Sequence, residues 1–175
     1  LEALRELDEA LPPQVLAPLP QLVAHVLAAL PGPDPEVAMT ACAALNALAE
    51  TLGPDVAAYH AQVVPGLLAA LASADRAVQR KGLLTLEVFV AHLRGAALRP
   101  YLPALMERVL ALCAQGPLEL RDVAAATVGS VLEAADAADF APYAQATFAA
   151  LRPLVHLAGE DEQLARGRAI ESLGL

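Results

Sequence analysis

The sequence predicts an all-α protein, a right-handed α-solenoid of about four two-helix units, and three observations carry that prediction. Of the 175 residues 57% are apolar but only 3% aromatic, with no Trp, so Leu and Ala supply the apolar share and helix formers dominate. Tyr59, Tyr101 and Tyr143 stand 42 residues apart, two of them directly after Pro100 and Pro142, and each opens an apolar helical segment. Leu30, Leu71 and Leu112 close those segments at a spacing of 41. A fixed period of this length marks stacked helical repeats.

The elements follow in order. First helices are expected at 18–30, 57–72, 100–114 and 141–156, and second helices at 35–52, 76–93, 118–135 and 161–175. Breakers separate the two helices of each unit: Pro31-Gly32-Pro33-Asp34-Pro35, Ser73-Ala74-Asp75, Gln115-Gly116-Pro117 and Gly159-Glu160-Asp161. Breaks between units fall at Gly53-Pro54, Gly95 to Pro100 and Asp136 to Asp139. One solenoid segment therefore spans 1–175, with a partial unit at 1–11 and units at about 17–53, 56–95, 98–136 and 140–175. Leu1 to Leu11 reads as the end of a preceding second helix, and the whole as a piece of a longer chain.

The second helices share a buried stripe. Val37, Ala41, Leu45, Leu48 and Leu52 match Val78, Gly82, Leu86, Phe89 and Leu93, then Leu120, Ala124, Val128, Val131 and Ala135. Counted from the first residue of each set, these are offsets 0, 4, 8, 11 and 15, one face of an α-helix. A fourth copy keeps Ile170 and Leu173 but carries Glu162 and Arg166 at the first two places. Two helices in about 40 to 47 residues is the size of a HEAT or armadillo repeat, and two long helices per unit fit HEAT better.

Charge and motifs exclude several functions. Twenty acidic residues against 11 Lys+Arg give a net charge of -9, which disfavours nucleic acid and makes any electrostatic partner basic. Leu11 to Pro33 and Val56 to Ala74 are uncharged over membrane-spanning lengths, but proline breaks the first and Gln and His interrupt the second, so no membrane span is expected. Cys42 and Cys113 lie apart in apolar runs and read as buried thiols rather than as a disulfide or zinc site. His25, His60, His92 and His156 occur singly, and Ser73, Ser130 and Ser172 lie in no nucleophile motif. Neither enzyme activity, cofactor nor metal is expected.

Two phrases carry a family resemblance: Arg99-Pro100-Tyr101-Leu102-Pro103-Ala104-Leu105-Met106-Glu107-Arg108-Val109-Leu110 and Phe140-Ala141-Pro142-Tyr143. With Ala44-Leu45-Asn46-Ala47-Leu48-Ala49-Glu50 and Arg166 to Leu175, the sequence resembles the importin-beta (karyopherin-beta) nuclear transport receptors, most of all the branch containing importin four and importin five. The resemblance implies cytoplasmic and nuclear location. It also implies basic cargo of ribosomal-protein or histone type, and contact with the GTPase Ran and nucleoporins through the full receptor. In such receptors the second helices line a concave face whose acids receive basic cargo.

The residues themselves allow such a face. Offsets 2, 6, 9 and 13 lie opposite the buried stripe and are expected to meet solvent or cargo. Offset 9 holds Asn46, Glu87, Gly129 and Glu171, and offset 13 holds Glu50, Ala91 and Glu133. Asn46, Glu50, Glu87, Glu133 and Glu171 are thus the candidate cargo-binding residues, on a face that also carries Met39, Ala43, Leu84 and Ala126. Arg76, Arg80 and Lys81 cluster at one second-helix start, and Arg121 sits near the equivalent place in the next. Asp75, Arg80, Arg121 and Asp122 are expected to form an acid and base ladder between units. Two other readings stay open: a HEAT scaffold for a multi-subunit complex, and an idealised repeat protein without a natural partner.

Overall fold

The computed structural model describes residues 18–174. The partial unit at 1–11 lies outside the described residues. Among the described residues the chain is helical, without strands: α1 (Leu19–Ala29), α2 (Pro35–Leu52), α3 (His60–Ala70), α4 (Arg76–Ala91), α5 (Leu102–Gln115), α6 (Leu118–Ala134), the single turn α7 (Ala137–Phe140), α8 (Ala144–Val155) and α9 (Gln163–Leu173). The two helices of each unit pack together: α1 on α2, α3 on α4, α5 on α6, α8 on α9. Between units like meets like. α2, α4, α6 and α9 touch in succession, as do α1, α3, α5 and α8.

Local chemistry places the boundaries. Asp34 accepts from the Glu36 amide with Pro35 in the first turn of α2, and Asp75 accepts from the amides of Ala77 and Val78 to start α4. Gly53, at φ +52, ends α2 in a conformation that side-chain-bearing residues avoid. The expected starts of the first helices need correction. Residues 57–59, 100–101 and 141–143 belong to 3-10 turns (Gly53–Tyr59, Arg99–Tyr101, Ala141–Tyr143) that precede the α-helices. A tighter winding suits a short connector that must redirect the chain. Tyr59, Tyr101 and Tyr143 close these turns at the same φ of -97°, so the 42-residue period is a period of backbone geometry.

One core runs unbroken through the units. Leu45, Leu86, Phe89, Leu93, Val128 and Val131 from the second helices meet Val64, Leu67, Leu105, Met106, Val109 and Leu154 from the first. Val37 departs from the expected stripe: it is 46% exposed and lines a surface groove with Val26 and Ala29 of α1, while its neighbour Ala38 is buried. Glu162 and Arg166 are half-buried and serve the loop before α9, with Glu162 accepting from the Gly159 amide and Arg166 donating to the Leu157 carbonyl. This is why the fourth copy abandons apolar residues there.

The outward face also needs correction on α6, where Asp122 and Ala126, expected toward solvent, are buried. Helix α6 lies between α4 and α9 and over α5, so neighbours cover most of its circumference. Among the described residues no helix is long and apolar enough to cross a membrane.

Candidate functional site

Small residues decide how closely the second-type helices approach. Ser172 of α9 donates to the Ala125 carbonyl of α6 at 2.8 Å, and a Cβ on Gly129 would stand 2.9 Å from the Ser172 hydroxyl oxygen. On the equivalent flank of α4 the Thr85 hydroxyl is shared between the Lys81 carbonyl of its own helix at 3.0 Å and the Cys42 carbonyl of α2 at 3.1 Å. A hydroxyl donating to a carbonyl already used within its helix ties neighbouring backbones together without a long side chain between them.

Above the α6 and α9 contact lies a cleft of about 200 Å³. Glu87 of α4, Ser130 and Glu133 of α6, and Arg168 and Glu171 of α9 line it. Three carboxylates from three successive second-type helices thus share one cleft with a single guanidinium, and Arg168 engages Glu171 of its own helix at 3.2 Å. Burial pushes the Glu87 carboxyl above the usual glutamate range; Arg168 opposes the shift, while Glu171 and Asp122 reinforce it. The cleft is therefore short of positive charge. A cation entering it would relieve like-charge repulsion and pair with carboxylates already held by rigid helices.

Of the candidate cargo-binding residues, Glu87, Glu133 and Glu171 are brought together here. Asn46 and Glu50 are not: they lie on α2, where the Asn46 amide donates to Glu50 at 2.7 Å.

The candidate ladder residues divide by role. Arg80 of α4 stands 3.2 Å from Asp122 of α6, across units, with the Asp122 side chain only 11% exposed. Asp75 caps α4, and Arg121 donates to the Gly116 carbonyl of its own unit, so these two act locally. Sequence reasoning missed two further links between units, Arg76 to Glu119 at 3.5 Å and Arg99 to Asp139 at 2.7 Å. Opposite charges 43 and 40 residues apart, close to the repeat period, were the available signal. The bond that Arg99 donates to Asp139 holds its guanidinium above the ordinary range.

The remaining reactive groups have structural surroundings. His60 Nδ1 lies 2.8 Å from the Tyr101 hydroxyl, and His25 Nδ1 lies 2.7 Å from the Gln21 carbonyl of its own helix. Cys42 and Cys113 are fully buried, and burial pushes their thiols up to about 11 and about 12. Among the described residues no group of three or more His, Cys, Asp or Glu is arranged to hold a metal ion. What the geometry offers is a surface with local negative charge. No protein-family model matches the chain, and no curated protein matches it.

Proposed function

We propose that the chain is a HEAT-type segment, a right-handed α-solenoid of the importin-beta kind. Its second-type helices hold basic protein cargo of ribosomal-protein or histone type, within a nuclear import receptor that also meets Ran and nucleoporins and moves between cytoplasm and nucleus. The like-on-like contacts of α2, α4, α6 and α9 support the solenoid reading. The single observation that carries the binding reading is the convergence of Glu87, Glu133 and Glu171 on one cleft with Arg168 as its lone cation. A lysine or arginine of an extended segment would enter between Glu87 and Glu171. Neighbouring basic residues would follow the same face toward Asn46 and Glu50.

Each exposed ion pair contributes only about 0 to 1 kcal/mol, so affinity must come from several pairs on a preorganised surface. The test is fluorescence anisotropy with a lysine-rich histone-tail peptide, against the wild type and against Glu87→Gln, Glu133→Gln and Glu171→Gln combined. Saturable binding that weakens with salt and with the triple substitution supports the reading. Absence of binding at tens of micromolar, with a folded monomer, overturns it.

A further inference from the structure

The interface between α4 and α6 carries two guanidinium rungs. Arg76 reaches Glu119 and Arg80 reaches Asp122, each arginine pairing with an acid 43 or 42 residues further on, in the next second-type helix. One period later, between α6 and the start of α9, both rungs lack their base. Leu118 takes the place of Arg76, 43 residues before Asp161, and Asp122 itself takes the place of Arg80, 42 residues before Leu164. Asp161 thus keeps the position of the acid without the arginine, and among the described residues it joins no ion pair.

A second cleft, of about 340 Å³, lies at this interrupted ladder. Glu119, Asp122 and Asp161 bring three carboxylates to it against the single guanidinium of Arg80. Asp122 is only 8% exposed as a whole residue. Arg80 engages one of its carboxylate oxygens, and the other has no hydrogen-bond partner among the described residues. An ionised carboxylate accepts at both oxygens, so buried acceptor capacity stays unmet at this wall of the cleft. Two leucines line the same cleft, Leu118 half-buried and Leu164 58% exposed.

We infer that this cleft is a docking site for an arginine side chain of a partner protein, whose guanidinium supplies the missing rung by pairing with Asp161 and Asp122. Arg76 and Arg80 set the precedent one unit earlier, on acids at the same spacing. A guanidinium is planar, weakly hydrated and forked, which suits carboxylates on two neighbouring elements, whereas an ammonium is a compact and strongly hydrated point charge. The methylene stem of the guest would lie along Leu118 and Leu164 while its head stays polar. The inference goes beyond the cargo reading and stands apart from it, because the two clefts share no residue.

The test is an amide-resolved NMR titration of the full chain with the blocked tripeptide Gly-Arg-Gly, with Gly-Lys-Gly and Gly-citrulline-Gly as controls. Saturable shifts at Glu119, Asp161 and Leu164 are expected with arginine, a several-fold weaker affinity with lysine, and no shifts with the uncharged citrulline. Asp161→Asn should weaken arginine binding by about threefold, as loss of one exposed pair does. Leu118→Arg rebuilds the rung from within and should abolish binding while far-UV circular dichroism stays helical. Equal affinities for the arginine and lysine tripeptides overturn the inference, and so do shifts with citrulline, an unchanged affinity in Asp161→Asn, or binding that survives Leu118→Arg in a folded chain. Methylguanidine binding as tightly as the tripeptide also overturns it, by assigning the cleft to a free small cation instead of a protein.

Discussion

The Tyr101 hydroxyl lies 2.8 Å from His60 Nδ1, with the two rings edge to face at 5.7 Å, so a tyrosine of one unit is anchored on the unit before it. The place corresponding to His60 one period later is Leu102, and Tyr143 instead packs beside Phe140 at 6.2 Å. Replacing Tyr101 by Phe removes a half-buried hydrogen bond and should cost about 0.5 to 1.5 kcal/mol. Tyr143→Phe should cost less. Urea unfolding of the two variants decides, and equal losses would count against the His60 anchor.

Arg80 and Asp122 predict an asymmetric pair of outcomes. Asp122 is buried and keeps one carboxylate oxygen without a partner, so Arg80→Met strands a charge and should cost about 1 to 3 kcal/mol. Arg76→Met breaks a link whose side chains are 67% and 54% exposed and should cost at most about 1 kcal/mol. Thermal unfolding at matched salt separates them.

Glu87 gives a pH dependence with a definite sign. Its carboxyl is raised in the folded chain, so folding favours the protonated form. As pH climbs through the ordinary glutamate value of about 4.3, the unfolded chain ionises first and the folded state loses stability relative to it. Above the raised value the loss is constant. Glu87→Gln should therefore be more stable than wild type at neutral pH, with the difference shrinking toward about pH 3, and it should bind a basic peptide less well. Chemical denaturation across that range checks the first statement and anisotropy the second.

Gly95 and Gly53 separate strain from crowding. Both have positive φ, +39 and +52, but a Cβ at Gly95 would stand 2.7 Å from an Asp136 oxygen while one at Gly53 meets open space. Gly53→Ala should cost about 1 kcal/mol, and Gly95→Ala about 1 to 3 kcal/mol. The double variant Gly95→Ala, Asp136→Ala should recover the crowding part only, read as a partial return of the melting temperature.

Much of this architecture is legible in the sequence because breakers and helix periodicity are local signals. Asp34, Asp75 and Gly53 stop or start helices by their own chemistry, and Leu45, Leu86 and Val128 mark the core side by spacing alone. The outer side of α6 is not legible in that way. Ala126 and Gly129 are buried or half-buried by neighbouring helices, yet small residues carry no hydrophobic period, so the spacing of the stripe sets them toward solvent. At the candidate site, Glu87, Glu133 and Glu171 could be set on one face by counting. That Arg168, at offset 6 of the same helix as Glu171, shares their cleft could not be read in this way, since counting sets a face and not the reach of a side chain. Nor could the division of Asp75, Asp122, Arg80 and Arg121 into caps and cross-links, which depends on which rotamer finds which partner.

Helix α6 touches α4, α5 and α9, and its residues from Asp122 to Val128 are all buried. Among the described residues it is the longest run of consecutive buried positions. Release of the α6 amides requires its contacts with α4, α5 and α9 to be broken, which places this helix at the slow end of local opening. A ligand resting on Glu87, Glu133 and Glu171 spans that slowest segment and its two neighbours. Such a ligand would tie the outer helix α9, through Glu171, to the more deeply buried α6, and its departure would follow the opening of α9.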